Sequence, residues 1–177
     1  SPRSGALMTF KRGLEGRKSG RELDGRGAPG PRLVCGLLSC AARGFLIFDP
    51  VYTGSGTDGK FKDNYYLSRR ASTVLIVKAC SKVRNTCFCN WVGGAPASRE
   101  GADVLATEVN DGYLLTPVTA RGAAVLDSSL LGAADSGMEE AARQSHEEAL
   151  AALPESPDIS DSVKSLLGKF EDGAFWE

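Results

Sequence analysis

Short apolar runs, bounded by polar and glycine-rich stretches, predict a small sheet in the middle of the chain. Arg32–Leu38 is an apolar run typical of a buried strand, and Thr73–Ala79 is β-branched and apolar at its centre. Residues 103–109 and 113–119 predict two further strands. Asn110-Asp111-Gly112 between them is a strong hairpin signal.

Helical patterns lie between and after these strands. Residues 41–48 predict a short helix that ends before Asp49-Pro50, and residues 62–72 predict a second one. Further on, residues 136–153 and 158–171 read as two acidic helices separated by a proline-containing break. The order strand, helix, strand, hairpin and helices predicts an α/β (or α+β) fold. We expect a small mixed sheet, a crossover helix, a hairpin and a C-terminal helical tail.

Charge and composition divide the chain into three parts. Residues 1–30, with seven glycines among arginines and lysines, predict an extended lead-in, residues 31–131 form the expected α/β domain, and residues 132–177 form an acidic helical tail. Residues 1–40 carry a net charge of +5 and residues 135–177 one of -8, against -1 for the whole chain. Such blocks more often solvate a surface or dock a partner than bind nucleic acid, so we predict no nucleic-acid partner.

The apolar runs are short and no signal-peptide pattern opens the chain, so we expect neither membrane insertion nor export. We expect a cytoplasmic location instead. Flavin or nicotinamide binding is not predicted either, because no G-x-G-x-x-G opens a helix after a strand. His146 is the only histidine, and its acidic surroundings predict a solvated side chain rather than a general base.

The five cysteines carry the candidate chemistry. Cys80, Cys87 and Cys89 form a C-x6-C-x-C group in a loop with glycines, and Cys40 lies further upstream. Thiols grouped in this way favour a soft metal or an iron–sulfur cluster, with Gly93 and Gly94 allowing backbone N–H groups to approach its sulfurs. The spacing alone leaves structural zinc and metal-free structural thiols open as alternatives.

Strand order indicates which cysteines belong together. Cys40 follows the first predicted strand and Cys80 the second, and the connection between them is long enough for a parallel crossover. Both thiols would then lie at one edge of the sheet, with Cys87 and Cys89 closing over it. Cys35 lies inside the strand and is predicted to be a small buried hydrophobe. We therefore predict Cys40, Cys80, Cys87 and Cys89 as the metal and cofactor ligands, and no catalytic residue.

Several motifs between residues 31 and 126 resemble a family of iron–sulfur electron-transfer subunits. The family includes the beta subunits of soluble sulfhydrogenases and the A subunit of anaerobic sulfite reductase. The matching pieces are residues 36–40, 48–52 and 64–70, Cys87-Phe88-Cys89, and residues 101–104 and 111–115. One departure concerns Cys40: the family's first cysteine usually follows Arg-Pro and precedes Asp, whereas Leu38-Ser39 and Ala41 flank it here. The departure puts a local hydrogen bond or ion pair in doubt, not the thiolate.

The resemblance implies one [4Fe-4S] cluster that relays single electrons within an anaerobic, multi-subunit complex of the hydrogenase or sulfur- or sulfite-reductase type. Its implied partners are flavin- and iron–sulfur-containing redox subunits and a hydrogenase or reductase catalytic subunit. Family members typically continue into a ferredoxin-like part with C-x2-C-x2-C-x3-C-P runs, which these 177 residues do not contain. The alternative is a non-catalytic scaffold subunit with structural zinc or no metal.

Three surface features complete the expectations. The acidic helices over 136–171 are predicted to lie outside the cluster domain and to contact a partner. Trp91, beside Cys89, would either shield the cluster from water or anchor its loop in the core. Within residues 65–70, Tyr65, Tyr66, Arg69 and Arg70 would form either a docking or cluster-shielding surface or a helix with aromatic packing and a solvated arginine pair.

Overall fold

The computed structural model describes residues 30–55, 62–110, 112–126 and 131–156, together with residues 158, 165, 166, 169 and 173. The predicted lead-in over 1–29 and most of the second acidic helix lie outside the described residues, as does Asp111 of the hairpin turn. Among the described residues, no helix is both long and apolar enough to cross a membrane.

The described residues fold as an α/β domain with four helices and a four-stranded mixed sheet, which confirms the predicted fold class. The elements, in chain order, are β1 (Arg32–Leu38), α1 (Ser39–Thr53), α2 (Asn64–Ala71), β2 (Thr73–Lys78), a 3-10 turn (Cys89–Val92), β3 (Val104–Val109), β4 (Gly112–Pro117), α3 (Ala120–Leu126) and α4 (Ser136–Ala151).

The four strands lie side by side in chain order. β1 pairs in parallel with β2, and β2 in parallel with β3, whereas β3 and β4 form an antiparallel hairpin. In the register of the first pair, Leu38 lies opposite Lys78. The carboxyl ends of β1 and β2 therefore meet at one edge of the sheet, as the strand order predicts.

Helices cover both faces of the sheet. On one face, Ala42 of α1 packs on Leu75, Val77 and Leu105. Further along that face, α4 packs on the hairpin, with Ala142 beside Val109 and Leu114. On the other face, Ile76, Val104, Ala106 and Leu115 form a second apolar group with Leu126 of α3. The expectation that the acidic helices lie outside the domain is therefore wrong for α4, although its Leu150 stays exposed.

Two helical predictions need correction. α1 does not end before Asp49-Pro50 but continues to Thr53, with Pro50 inside its last turn. α3 is absent from the prediction, although Thr119 marks its start, because its Oγ1 accepts the Gly122 N–H at 3.1 Å.

A polar contact joins α1 to α2 and gives residues 65–70 a packing role. Asp49 accepts a hydrogen bond from the Tyr66 hydroxyl and pairs with Arg70 at 3.2 Å, and Tyr52 stacks on Tyr66 with ring centroids 4.5 Å apart. Burial, and after it the hydrogen bond to Asp49, raises the pKa of Tyr66 to about 12. Arg70 is thus an ion-paired, largely covered residue, not half of a solvated arginine pair.

Candidate functional site

Cys40 and Cys80 lie at the carboxyl edge of the sheet because each directly follows one of two neighbouring parallel strands. Cys40 is the second residue of α1, and Cys80 comes two residues after β2. The Pro96 carbonyl accepts both the Cys80 N–H and the hydroxyl of the buried Ser39, each at 2.9 Å. One carbonyl of the segment between β2 and β3, residues 79–103, which we call the cysteine loop, thus fixes the backbone beside both cysteines. Ser39 and Pro96 are positioning residues that sequence reasoning missed.

Cys87 and Cys89 lie on that loop, held by local turns. The Cys87 N–H donates to the Arg84 carbonyl at 2.9 Å, and the Arg84 N–H donates back to the Cys87 sulfur at 3.3 Å. Cys89 begins the 3-10 turn, whose end is closed by Gly93 in the left-handed conformation at φ 72°. The Gly94 N–H donates to the Cys89 carbonyl at 2.7 Å, so its contact is with backbone oxygen and not with a sulfur as predicted.

The electrostatic surroundings of Cys80 show which thiols lie together. Partial burial is the main reason why the pKa of Cys80 is raised, and the nearby thiols of Cys40, Cys87 and Cys89 raise it further. Lys78 lowers that pKa, as the smallest contribution. The structure therefore places each of the other three predicted ligands near Cys80. Negative charge on one of these sulfurs disfavours it on Cys80, so a bound cation would stabilise the deprotonated set.

Cys35 lies apart from this group. It pairs with Ile76 in the sheet, four residues before Cys80 on the neighbouring strand, and lines a separate groove of about 290 Å³ that includes Tyr113 and Leu115. Its side chain is exposed, not buried as predicted. The reason is topological: β1 is an edge strand, and neither Leu33 nor Val34 on it is buried.

The spacing of these thiols bears on the group they would hold. Among the described residues, no three His, Cys, Asp or Glu side chains are arranged to hold a single metal ion. A tetrahedral zinc site needs sulfurs about 3.8 Å from one another, given Zn–S bonds of about 2.3 Å. A four-iron cluster with its bridging sulfides is larger, so its thiolates stand further apart. The described cysteines are therefore not gathered around a point at which one ion would bind.

The first turn of α1 supports anionic sulfur at this edge. The N-cap residue of α1 is Leu38, whose apolar side chain cannot accept a hydrogen bond from the first turn of the helix, where Cys40 lies. The N–H groups of such a turn stabilise a negative charge at the start of a helix. The Arg84 N–H on the Cys87 sulfur is the kind of hydrogen bond that thiolate ligands of a cluster receive.

The surface around the cysteines is apolar and open. Phe88 is 56% exposed and Val92 57%, and Trp91, tilted against Phe88, is also exposed. Trp91 is therefore not the core anchor that one of its two predicted roles required. A cleft of about 340 Å³ runs between α1 and the loop, with Cys40, Cys89 and Ile47 in its wall.

A charged residue that sequence reasoning missed joins the two sides of this cleft. Arg43 of α1 donates to the Glu100 carboxylate at 2.6 Å and to the Val92 carbonyl. In the middle of the loop, Asn90 donates its side-chain N–H to the Pro154 carbonyl at 2.8 Å. The cysteine loop is thus tied to α1 on one side and to the residues after α4 on the other.

His146 differs from the prediction of a solvated side chain. It is half-buried between α4 and the sheet, where its Nε2 shares a hydrogen bond of 2.8 Å with the hydroxyl of the buried Thr107. Burial, and after it the positive charge of Arg99, lowers the pKa of His146. The spacing of Ala142, His146 and Ala149 along one helix face was the available sequence signal, because positions i, i+4 and i+7 share a face.

Comparison with the models of known protein families, with curated proteins and with solved structures finds no match. The resemblance to iron–sulfur electron-transfer subunits therefore stays a prediction that rests on the motifs.

Proposed function

We propose that this chain is an iron–sulfur electron-transfer subunit that holds one [4Fe-4S] cluster through Cys40, Cys80, Cys87 and Cys89. One observation carries the proposal. Cys40 and Cys80 follow two neighbouring parallel strands, and the thiols of Cys40, Cys87 and Cys89 all lie near enough to Cys80 to raise its pKa. One-electron transfer is the chemistry that such a cluster supplies when bound.

The residues of the chain have distinct tasks in this proposal. Ser39 and the Pro96 carbonyl set the position of Cys40 relative to Cys80. The Arg84 N–H stabilises charge on the Cys87 sulfur. The exposed apolar side chains around Cys89 offer a surface on which a redox partner subunit would exclude water, which tunes the potential of a nearby centre. The chain itself would bind neither hydrogen, sulfur nor sulfite.

Metal and sulfide analysis of the 177-residue chain, expressed and purified without oxygen, tests the proposal. We expect about four iron atoms and four acid-labile sulfides per chain, with the brown colour of thiolate-bound iron. Stoichiometric zinc without sulfide would instead support a structural zinc site. Protein that folds with neither iron nor zinc would support a metal-free scaffold. Either of these two results contradicts the electron-transfer proposal.

A further inference from the structure

A second cavity, of about 320 Å³, lies between α4 and the β3–β4 hairpin and contains none of the cysteines. Its wall combines charged, hydroxyl and apolar side chains, of which the important ones are Arg99, Thr107, Leu114, Glu139, Ala142 and His146. This volume lies at the lower end of the range for small-molecule sites, at roughly 300 Å³, and exceeds what a bare inorganic anion fills. The mixture of walls suits a ligand with one polar end and one apolar end.

The polar end of the cavity has a neutral imidazole with one ring nitrogen already engaged. Nε2 of His146 shares its hydrogen bond with Thr107, which leaves Nδ1 for another partner. If the Thr107 hydroxyl donates to Nε2, the ring proton sits on Nδ1 and can be donated to an anion. The buried hydroxyl therefore permits the tautomer that an anionic ligand needs.

The charges that face His146 leave one cation without an ionic partner. Arg143 also lines the cavity, but its guanidinium is engaged by Glu140 and Glu147 of the same helix. Arg99, on the loop before β3, forms no ion pair among the described residues. Glu139 is the one carboxylate of the described cavity wall. A ligand with one negative charge would pair with Arg99, whereas a second negative charge would be repelled by Glu139.

We propose that this cavity binds a small monocarboxylate, with its carboxylate held by Arg99 and His146 and its apolar part against Leu114 and Ala142. The two apolar side chains are buried against each other at the junction of α4 and β4, so they form a fixed wall. None of the cysteines lines this site, so its ligand would not touch them.

The imidazole signals of His146 test the proposal directly. Because it is the only histidine, the chain purified without a polyhistidine tag gives one set of imidazole resonances. We expect butyrate to shift these resonances saturably and to raise the pKa of His146, because an anion beside the ring stabilises its protonated form. Succinate should bind more weakly than butyrate because of Glu139, and the neutral amide butyramide more weakly because it lacks the charge.

Matched arginine variants separate this site from binding elsewhere. Arg99→Gln should weaken butyrate binding by about tenfold, the typical loss for one charge-assisted hydrogen bond. Arg32→Gln, at an exposed position at the start of β1, should bind like the unchanged chain. The proposal is overturned by a shift that does not saturate, by equal affinity in Arg99→Gln, or by equal affinity for butyramide.

Discussion

The two ends of the sheet are built in opposite ways. At the start of β3, the buried Asp103 carboxylate accepts hydrogen bonds from the Leu75 N–H at 3.0 Å and the Thr119 hydroxyl at 2.6 Å, and it pairs with Arg121 at 3.3 Å. At the carboxyl edge of β1 and β2, the exposed Cys40 and the half-buried Cys80, Cys87 and Cys89 share one surface with exposed apolar side chains. The polar groups of the first end are paired within the described residues, whereas the second end is the place where we propose that a cluster and a partner bind.

This difference indicates that the Asp103 end serves the stability of the fold, whereas the cysteine edge serves the proposed binding function. At the Asp103 end, β2, β3, β4 and α3 meet at one buried carboxylate. Substitutions there should therefore lower the free energy of unfolding. Substitutions at the cysteine edge should change the free energy of unfolding little, but they should weaken binding of the proposed cluster. The predictions below test that separation, beginning with the largest expected effect.

Gly122→Ala should strongly destabilise the protein. A Cβ at this position of α3 would overlap the Asp103 carbonyl, a backbone group that cannot move aside without disturbing β3. We expect a loss of about 3 kcal/mol in the free energy of unfolding, measured by denaturant titration. The matched control is Gly44→Ala in α1, where a Cβ meets nothing within 4 Å and helix propensity favours alanine by about 0.5–1 kcal/mol. Equal effects of the two substitutions would contradict the close packing at the Asp103 end.

Asp103→Ala should have the next largest effect. It leaves the buried Leu75 N–H and the Thr119 hydroxyl without their acceptor, which costs about 2 kcal/mol; the ion pair adds less, because Arg121 is nearly half exposed. Thermal unfolding measures the loss. As a control, Glu108→Ala removes the exposed pair with Lys78 and should cost below about 1 kcal/mol. A loss as small as that of the control would show that Asp103 does not organise this end.

Acid should weaken the docking of α4 through His146. The folded-state pKa of His146 is lowered by burial and by Arg99 from its ordinary value of 6.5. Below pH 6.5 the unfolded chain therefore binds a proton that the folded chain resists, so stability falls as the pH falls, at no more than about 1.4 kcal/mol per pH unit. His146→Gln should flatten this part of the stability curve. An unchanged slope in the variant would assign the acid effect to other groups.

The sheet could be predicted because its information is local. β1 begins and ends at the predicted residues, and the long connection before β2 implied the parallel pairing that the structure has. α1 and Pro50 could not be predicted in the same way. The Pro50 carbonyl accepts the Ser55 N–H at 3.2 Å just beyond the helix, and Asp49 is held by α2, so a contact with a residue distant in sequence supports the helix at Asp49-Pro50, where the local pattern predicted its end.

The candidate site was predictable only in outline. Strand order alone brings Cys40 and Cys80 to one edge, but exposure depends on which strand lies at the border of the sheet. Cys35 therefore looked buried from its apolar neighbours and is exposed on β1. The carbonyl of Pro96 illustrates a further limit: its two donors, Ser39 and Cys80, are distant in sequence, and no residue pattern marks a backbone acceptor.

Single Cys→Ser variants of all five cysteines, prepared without oxygen and assayed for iron and acid-labile sulfide, test the central claim most directly. Cys35→Ser is the matched control within the chain, since its thiol lies on the edge strand, outside the group around Cys80. We expect Cys35→Ser to keep a full cluster, and each of Cys40→Ser, Cys80→Ser, Cys87→Ser and Cys89→Ser to lose or destabilise it. Loss of the cluster in Cys35→Ser with retention in Cys40→Ser would contradict the account.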